Sequence, residues 1–177
     1  SLLYPIKLMP NGNLIMEIAP LSSIRNGPPP AESLLELREI DLTGDIVQQL
    51  SIEDLNTRLA AAGFHGLTLQ VYSHDVTLLP NGHMLVIANT IKPFTDLPGL
   101  PGTANVVGDV IVDLDEDMNP TWVWNAFDHL DITRHPYSFP DWTHANAITY
   151  SQDDGNFLVS MRHQSWVVKV HYNNGLG

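Results

Sequence analysis

The feature that most constrains this chain is a turn that recurs. Met9-Pro10-Asn11-Gly12 and Leu79-Pro80-Asn81-Gly82 share one pattern, and apolar residues follow each glycine at matching places: Leu14 with Met84, Ile15 with Leu85, Met16 with Val86. Proline cannot donate to a strand ladder and glycine takes up positive φ at little cost, so Pro-Asn-Gly between two apolar runs predicts a tight hairpin. A hairpin that returns far along the chain implies a repeated unit, and such units bury their faces against one another.

The segments between fill in the unit. Around the first turn, Tyr4 to Met9 and Leu14 to Ile18 read as strands; residues 20–34, with Gly27 and Pro28-Pro29-Pro30, read as a surface excursion. Leu35 to Leu42 and Ile46 to Leu50 complete a four-stranded meander about Thr43-Gly44-Asp45. Ser51, with Asp54 three residues on, opens a helical insert that Gly63 closes. The second copy runs through Leu67 to Leu79, Met84 to Ala88, an expected excursion over 92–105, Val106 to Leu114, the turn Asp115–Asn119, and Thr121 to Trp124. A third copy opens at Asp141. Repeated four-stranded meanders predict an all-β fold of β-propeller type, with about three blades in this chain over residues 1–66, 67–136 and 137–177, the last incomplete, and one short helix. Propellers close with about four to eight blades, so the remaining blades are expected from the same protein or a companion chain, and a homodimer is compatible.

Composition removes several classes. The 177 residues carry 20 acidic against 8 basic side chains, a net charge of −12, which argues against nucleic acid and against an anionic membrane surface. No apolar run approaches a membrane span. With no cysteine, a thiolate nucleophile and a cysteine-ligated zinc are excluded. Chemistry falls to His, Arg, Asp or Tyr.

Asp141-Trp142-Thr143-His144-Ala145-Asn146 leads into alternating Ile148 and Tyr150, and Asn156 to Met161 is β-rich beyond the Ser151–Gly155 turn. If Tyr150 faces Asn156, Asn146 falls near Ser160 and His144 opposite Arg162. Imidazole, amide and guanidinium groups then share a small volume, which is a donor set suited to sulfate or phosphate oxygens. In a propeller the first strand of each blade lines the axis, so His74 would converge there with His144 and Asn146. Asp113-x-Asp115-x-Asp117-x-Asn119 imitates a calcium loop, but Met118 and Trp124 stand where such a loop needs glycine and glutamate, so it reads as a solvated turn. His65, His83, His129, His135, His163 and His171 read as surface or turn residues, and Trp122, Trp124 and Trp166 as packing between blades.

His74-Asp75, Leu79-Pro80-Asn81-Gly82-His83-Met84, Gly108-Asp109-Val110, Trp122-Val123-Trp124, the Asp141-Trp-x-His-x-Asn146 element and Ser160-Met161-Arg162-His163 together resemble the bacterial arylsulfate sulfotransferases. The resemblance covers residues 67–172, and the first meander by pattern alone. It implies a six-bladed propeller, a periplasmic or extracellular location, and transfer of a sulfuryl group from a phenolic sulfate ester to a phenol without a cofactor or metal. His74, His144, Asn146 and Arg162 match the residues that hold the sulfuryl oxygens, His74, His144 and Arg162 with catalytic roles. Tyr137, Phe139 and Trp142 are placed to stack on an aromatic substrate. The family's nucleophilic histidine lies in a later blade, beyond Arg162, and no residue before Gly177 matches it. The chain is therefore expected to be an N-terminal portion that is inactive alone. Two other readings stay open: a non-catalytic propeller module that captures an anion such as sulfate, and a hydrolase with a metal at His74, His144 and Asn146, which Arg162 disfavours by its charge.

Overall fold

A computed structural model of the chain describes residues 2–19 and 35–177; the excursion expected over 20–34 lies outside them. Among the described residues, eleven strands form three antiparallel sheets. The first is β1 (Leu2–Leu8), β2 (Leu14–Ala19), β3 (Glu36–Ile40) and β4 (Ile46–Ser51); the second is β5 (Leu69–Leu78), β6 (Met84–Leu97), β7 (Leu100–Leu114) and β8 (Pro120–Asn125). The third holds β9 (Ala145–Ser151), β10 (Asn156–Met161) and β11 (Trp166–Val170), each sheet following chain order.

The repeat holds at the level of single bonds. Gly12 and Gly82 both sit at φ +89°, and Asn11 and Asn81 each accept through Oδ1 from the N–H two residues on. The second turns match as well. Asp41 and Asp115 each accept, through a carboxylate oxygen, from the N–H four residues on, with Gly44 at φ +93° and Met118 at φ +60° in equivalent places. Asp115 thus spends its carboxylate on its own backbone, as expected of a closed turn rather than a calcium loop.

Helix α1 (Ile52–Ala61) starts where Ser51 Oγ accepts from the Asp54 N–H at 3.0 Å, and stops before Gly63 at φ +93°. Its buried Leu55 and Leu59 join the first core, and Arg58 donates to the Asp117 carbonyl at 2.8 Å, tying the insert to the second sheet.

The apolar run of β6 follows from burial on both faces. Met84, Val86 and Ala88 enter a core shared with the first sheet and α1; Leu85 and Ile87 enter a second core shared with the third sheet. Successive strand residues point to opposite faces, so a strand covered on both sides is apolar throughout. The second sheet is the middle layer.

Residues 92–105 overturn the expected excursion. They continue the ladder as a long hairpin, with Lys92 opposite Val106, Pro93 opposite Asn105 and Leu97 opposite Leu100. β5 accompanies β6 only as far as Thr90, and β8 accompanies β7 only from Val110 onward, so Pro93 and Pro101 lie on strands with one free edge, where a missing N–H is tolerated.

The strands β1, β5 and β9 lie side by side across the three sheets. Asp75 on β5 binds Lys7 Nζ of β1 at 2.9 Å and the Ile148 N–H of β9 at 3.0 Å, and Thr77 donates to the Ile148 carbonyl at 2.8 Å. One buried carboxylate thereby fixes the registry of all three.

Candidate functional site

His74 and His144 both occupy the left-handed region, at φ +63° and +49°. Non-glycine residues there cost on the order of 1 kcal/mol and persist only where the surroundings enforce them. For His74 the enforcement is a bulge. Tyr72 pairs with Ala88 and Val76 with Val86, which leaves residues 73–75 opposite Ile87 alone. Asp75, held by Lys7 and by the Ile148 N–H, pins the end of that bulge.

For His144 the enforcement is Asp109 on β7. This fully buried carboxylate accepts from Thr143 Oγ1 at 2.5 Å and from the Ala145 N–H at 2.6 Å, so it grips the residues on both sides of His144; its other oxygen accepts from Asn89 Nδ2 at 2.6 Å. Burial pushes the Asp109 carboxyl up to about 6, against the pull of the Thr143 and Ala145 donors.

The two rings approach with centroids 4.9 Å apart. His74 is held below the ordinary histidine range, first by burial and then by the neighbouring His144 and Arg162. Burial also raises Glu17 on β2 well above the ordinary carboxyl range, with the charge of Asp75 adding to it.

His144 opposite Arg162 is borne out: the Arg162 N–H donates to the His144 carbonyl at 3.0 Å. The route differs from expectation. Asn156 pairs with Ser151 and Tyr150 with Phe157, one step from the expected register, and a bulge that leaves Asn146 unpaired between Ala145 and Ala147 restores the offset. The bulge leaves Asn146 exposed, and its side-chain amide makes no hydrogen bond among the described residues. Arg162, exposed at the start of a 3-10 turn (Arg162–Gln164), has no side-chain hydrogen bond or ion pair among the described residues either.

That turn also brings in His163, set aside as a surface residue. Its ring stacks on His144 with centroids 4.6 Å apart, and its Nδ1 lies 2.7 Å from the Asp141 carbonyl oxygen. His144 Nδ1 lies 2.5 Å from Asp141 Oδ2. No spacing signal marks His163, because the strand ends at Met161 and the tight turn redirects the next ring.

The three aromatic candidates separate. Tyr137, about half exposed, stacks on His163 at 5.2 Å and borders the site. Phe139 instead packs at a tilt against His135, with ring centroids 4.7 Å apart. Trp142 is corrected outright: at 2% exposure it lies in the second core, stacked on Phe127, and has no face for a ligand. Its Nε1 donates to the Arg134 carbonyl, Arg134 donates to Gln164, and Gln164 Nε2 donates to the Trp142 carbonyl. This closed ring of bonds holds the turn that carries Arg162 and His163. Trp166, expected between blades, lies partly exposed beneath the Arg134 guanidinium.

Donor atoms of Asp141, His144 and His163 lie within 4.8 Å of one another, a grouping that invites comparison with a metal site. Two ligands on one ion sit roughly 3 Å or more apart. The 2.5 Å between His144 Nδ1 and Asp141 Oδ2 is a hydrogen bond, so a proton fills that gap.

Two histidines from different sheets, with the Arg162 charge felt at His74, make a set of groups suited to a compact oxyanion. The model of the Arylsulfotransferase (ASST) family matches residues 3–176, nearly the whole chain, and the chain belongs to that family. No curated protein matches the chain. Family membership supports arylsulfotransferase-type chemistry, with phenolic sulfates and phenols as the substrate classes.

Proposed function

We propose that the chain contributes the oxyanion-holding part of an aryl sulfotransferase active site, and that its three sheets are consecutive blades of a β-propeller with β1, β5 and β9 toward the axis. The observation that carries this reading is the meeting of His74 and His144, each held in a left-handed conformation by its own structural device, with the Arg162 N–H bonded to the His144 carbonyl and Asn146 two residues further on. Arg162 presents a fork to two sulfuryl oxygens and keeps its charge at any working pH. Asn146 donates through its amide. A neutral imidazole takes the proton of the incoming phenol, and a protonated one donates to the departing phenolate oxygen.

Sulfuryl transfer leaves the protein mainly positioning and charge stabilisation, by analogy with phosphoryl transfer. The reading includes a ping-pong route through a sulfohistidine outside these residues and export to the periplasm or cell surface. Among the described residues no helix is long and apolar enough to cross a membrane.

The test is transfer from 4-nitrophenyl sulfate to phenol by the intact protein. Arg162→Ala and His144→Ala should each lower turnover by about 10²-fold or more while the melting temperature is kept. Undiminished turnover overturns the assignment. Calorimetric binding of the sulfate ester without product in the unaltered protein would favour the anion-capturing module instead.

A further inference from the structure

Neither Asp141 nor His163 is among the residues assigned above to the sulfuryl group, yet the two share a connection. The Asp141 carboxylate reaches His144 Nδ1 at 2.5 Å, and the main-chain carbonyl of the same residue reaches His163 Nδ1 at 2.7 Å, with its Oδ2 a further 3.6 Å from that nitrogen. A carbonyl oxygen can only accept, so His163 Nδ1 must carry a hydrogen; the ionised carboxylate makes the same demand on His144.

The stacked rings therefore both commit Nδ1 and leave Nε2 for other chemistry. The backbone of Asp141 is itself fixed, since Val107 donates to the Pro140 carbonyl at 2.7 Å and accepts from the Trp142 N–H at 2.9 Å on either side of it. His74, Arg162, buried Asp109 and Tyr137 are further charged or titratable groups around the pair.

We propose that Asp141 is the shared positioning residue of this site: its side chain orients His144, its main chain orients His163, and the two Nε2 atoms act as a pair on the sulfuryl group and the phenolic oxygen. The assignment of the substrate rests on the function proposed above; the positioning does not. In the neutral state both Nε2 atoms are bare acceptors for a phenolic proton. When His144 takes up that proton, the carboxylate 2.5 Å away stabilises the imidazolium, as an orienting carboxylate does for a catalytic histidine. His163 thereby becomes a further substrate-facing residue, with Tyr137 stacked on its outer side.

The two arms of Asp141 give the test an internal control. Asp141→Ala removes the carboxylate but keeps the carbonyl; Asp141→Asn keeps a neutral acceptor. In long-range 1H–15N spectra of the intact protein, His144 and His163 should both be Nδ1–H tautomers. Asp141→Ala should move His144 toward the Nε2–H form and leave His163 unchanged, while Asp141→Asn should keep both. In the transfer assay Asp141→Ala should lower kcat about 10- to 100-fold with KM within about threefold, and Asp141→Asn should fall between.

An unchanged His144 tautomer in Asp141→Ala, or a change in both rings together, overturns the proposal. So does full kcat in that variant. If the unaltered protein transfers no sulfuryl group, the function reading fails by itself, and the tautomer spectra still decide whether Asp141 orients the pair.

Discussion

The two cores on either side of the middle sheet are built differently. The one shared with the first sheet is aliphatic, with Ile15, Leu37, Leu50, Leu55, Leu59, Val86 and Val110 buried around a capped helix and Tyr72 as its buried aromatic residue. The one shared with the third sheet is aromatic and threaded with directional bonds. Trp122 meets Tyr172 edge-on at 5.0 Å, Phe127 stacks on Trp142 at 5.2 Å, Tyr172 donates to buried Asp113 at 2.7 Å, and Asp109 grips the residues around His144. Apolar contact is non-directional and sets distance; hydrogen bonds and ring geometry set registry as well. The candidate site hangs on the second core, where a misplacement on the order of 1 Å costs most.

Large-to-small changes should separate the two. Trp142→Ala should cost about 3–5 kcal/mol in chemical denaturation and, by opening the ring through Arg134 and Gln164, lower turnover in the fraction that stays folded. Leu59→Ala should cost about 2–5 kcal/mol yet leave kcat within about twofold. Equal losses of kcat in both variants would erase the distinction.

Asp109 gives the second core a pH signature. Its folded carboxyl takes up a proton at about 6 and an ordinary one at 3.8, so the folded chain binds the extra proton between those values. Stability should therefore fall as pH rises through that window, by up to about 1.4 kcal/mol per unit, and be level for this group above it. Asp109→Asn should flatten the slope in pH-resolved denaturation; an unchanged slope assigns it elsewhere. In the first core, Ser51→Ala removes the helix cap and should cost about 1 kcal/mol with no change in transfer. The smallest effect expected is on His74: Arg162→Ala removes a positive neighbour, so the imidazole pKa should rise in an NMR titration.

Turn chemistry is local, and so the sequence made the hairpins at Asn11 and Asn81, the capped helix after Ser51 and the turn before Asn156 legible. The meeting of His144 with Arg162 was also legible, because the one-step difference in register and the bulge at Asn146 cancel. Bulges depend on contacts from elsewhere in the chain, and here Asp109 of the second sheet accepts from the Ala145 N–H beside the bulge. The 92–105 hairpin was hidden because its prolines forbid a central strand, and only the missing neighbours of β6 and β7 make them acceptable. Trp142 and His163 were exchanged in role for one reason. Sequence proximity to His144 does not say which way a ring turns; the 3-10 turn sends His163 inward to the site while the link to Val107 sends Trp142 into the core.

The most direct measurement is a crystal structure of the intact protein with an unreactive aryl sulfate analogue. The sulfuryl oxygens are expected within hydrogen-bonding distance of His74, His144 and the Arg162 guanidinium, with Asn146 at the same group. A sulfuryl group bound away from all four residues would contradict the account.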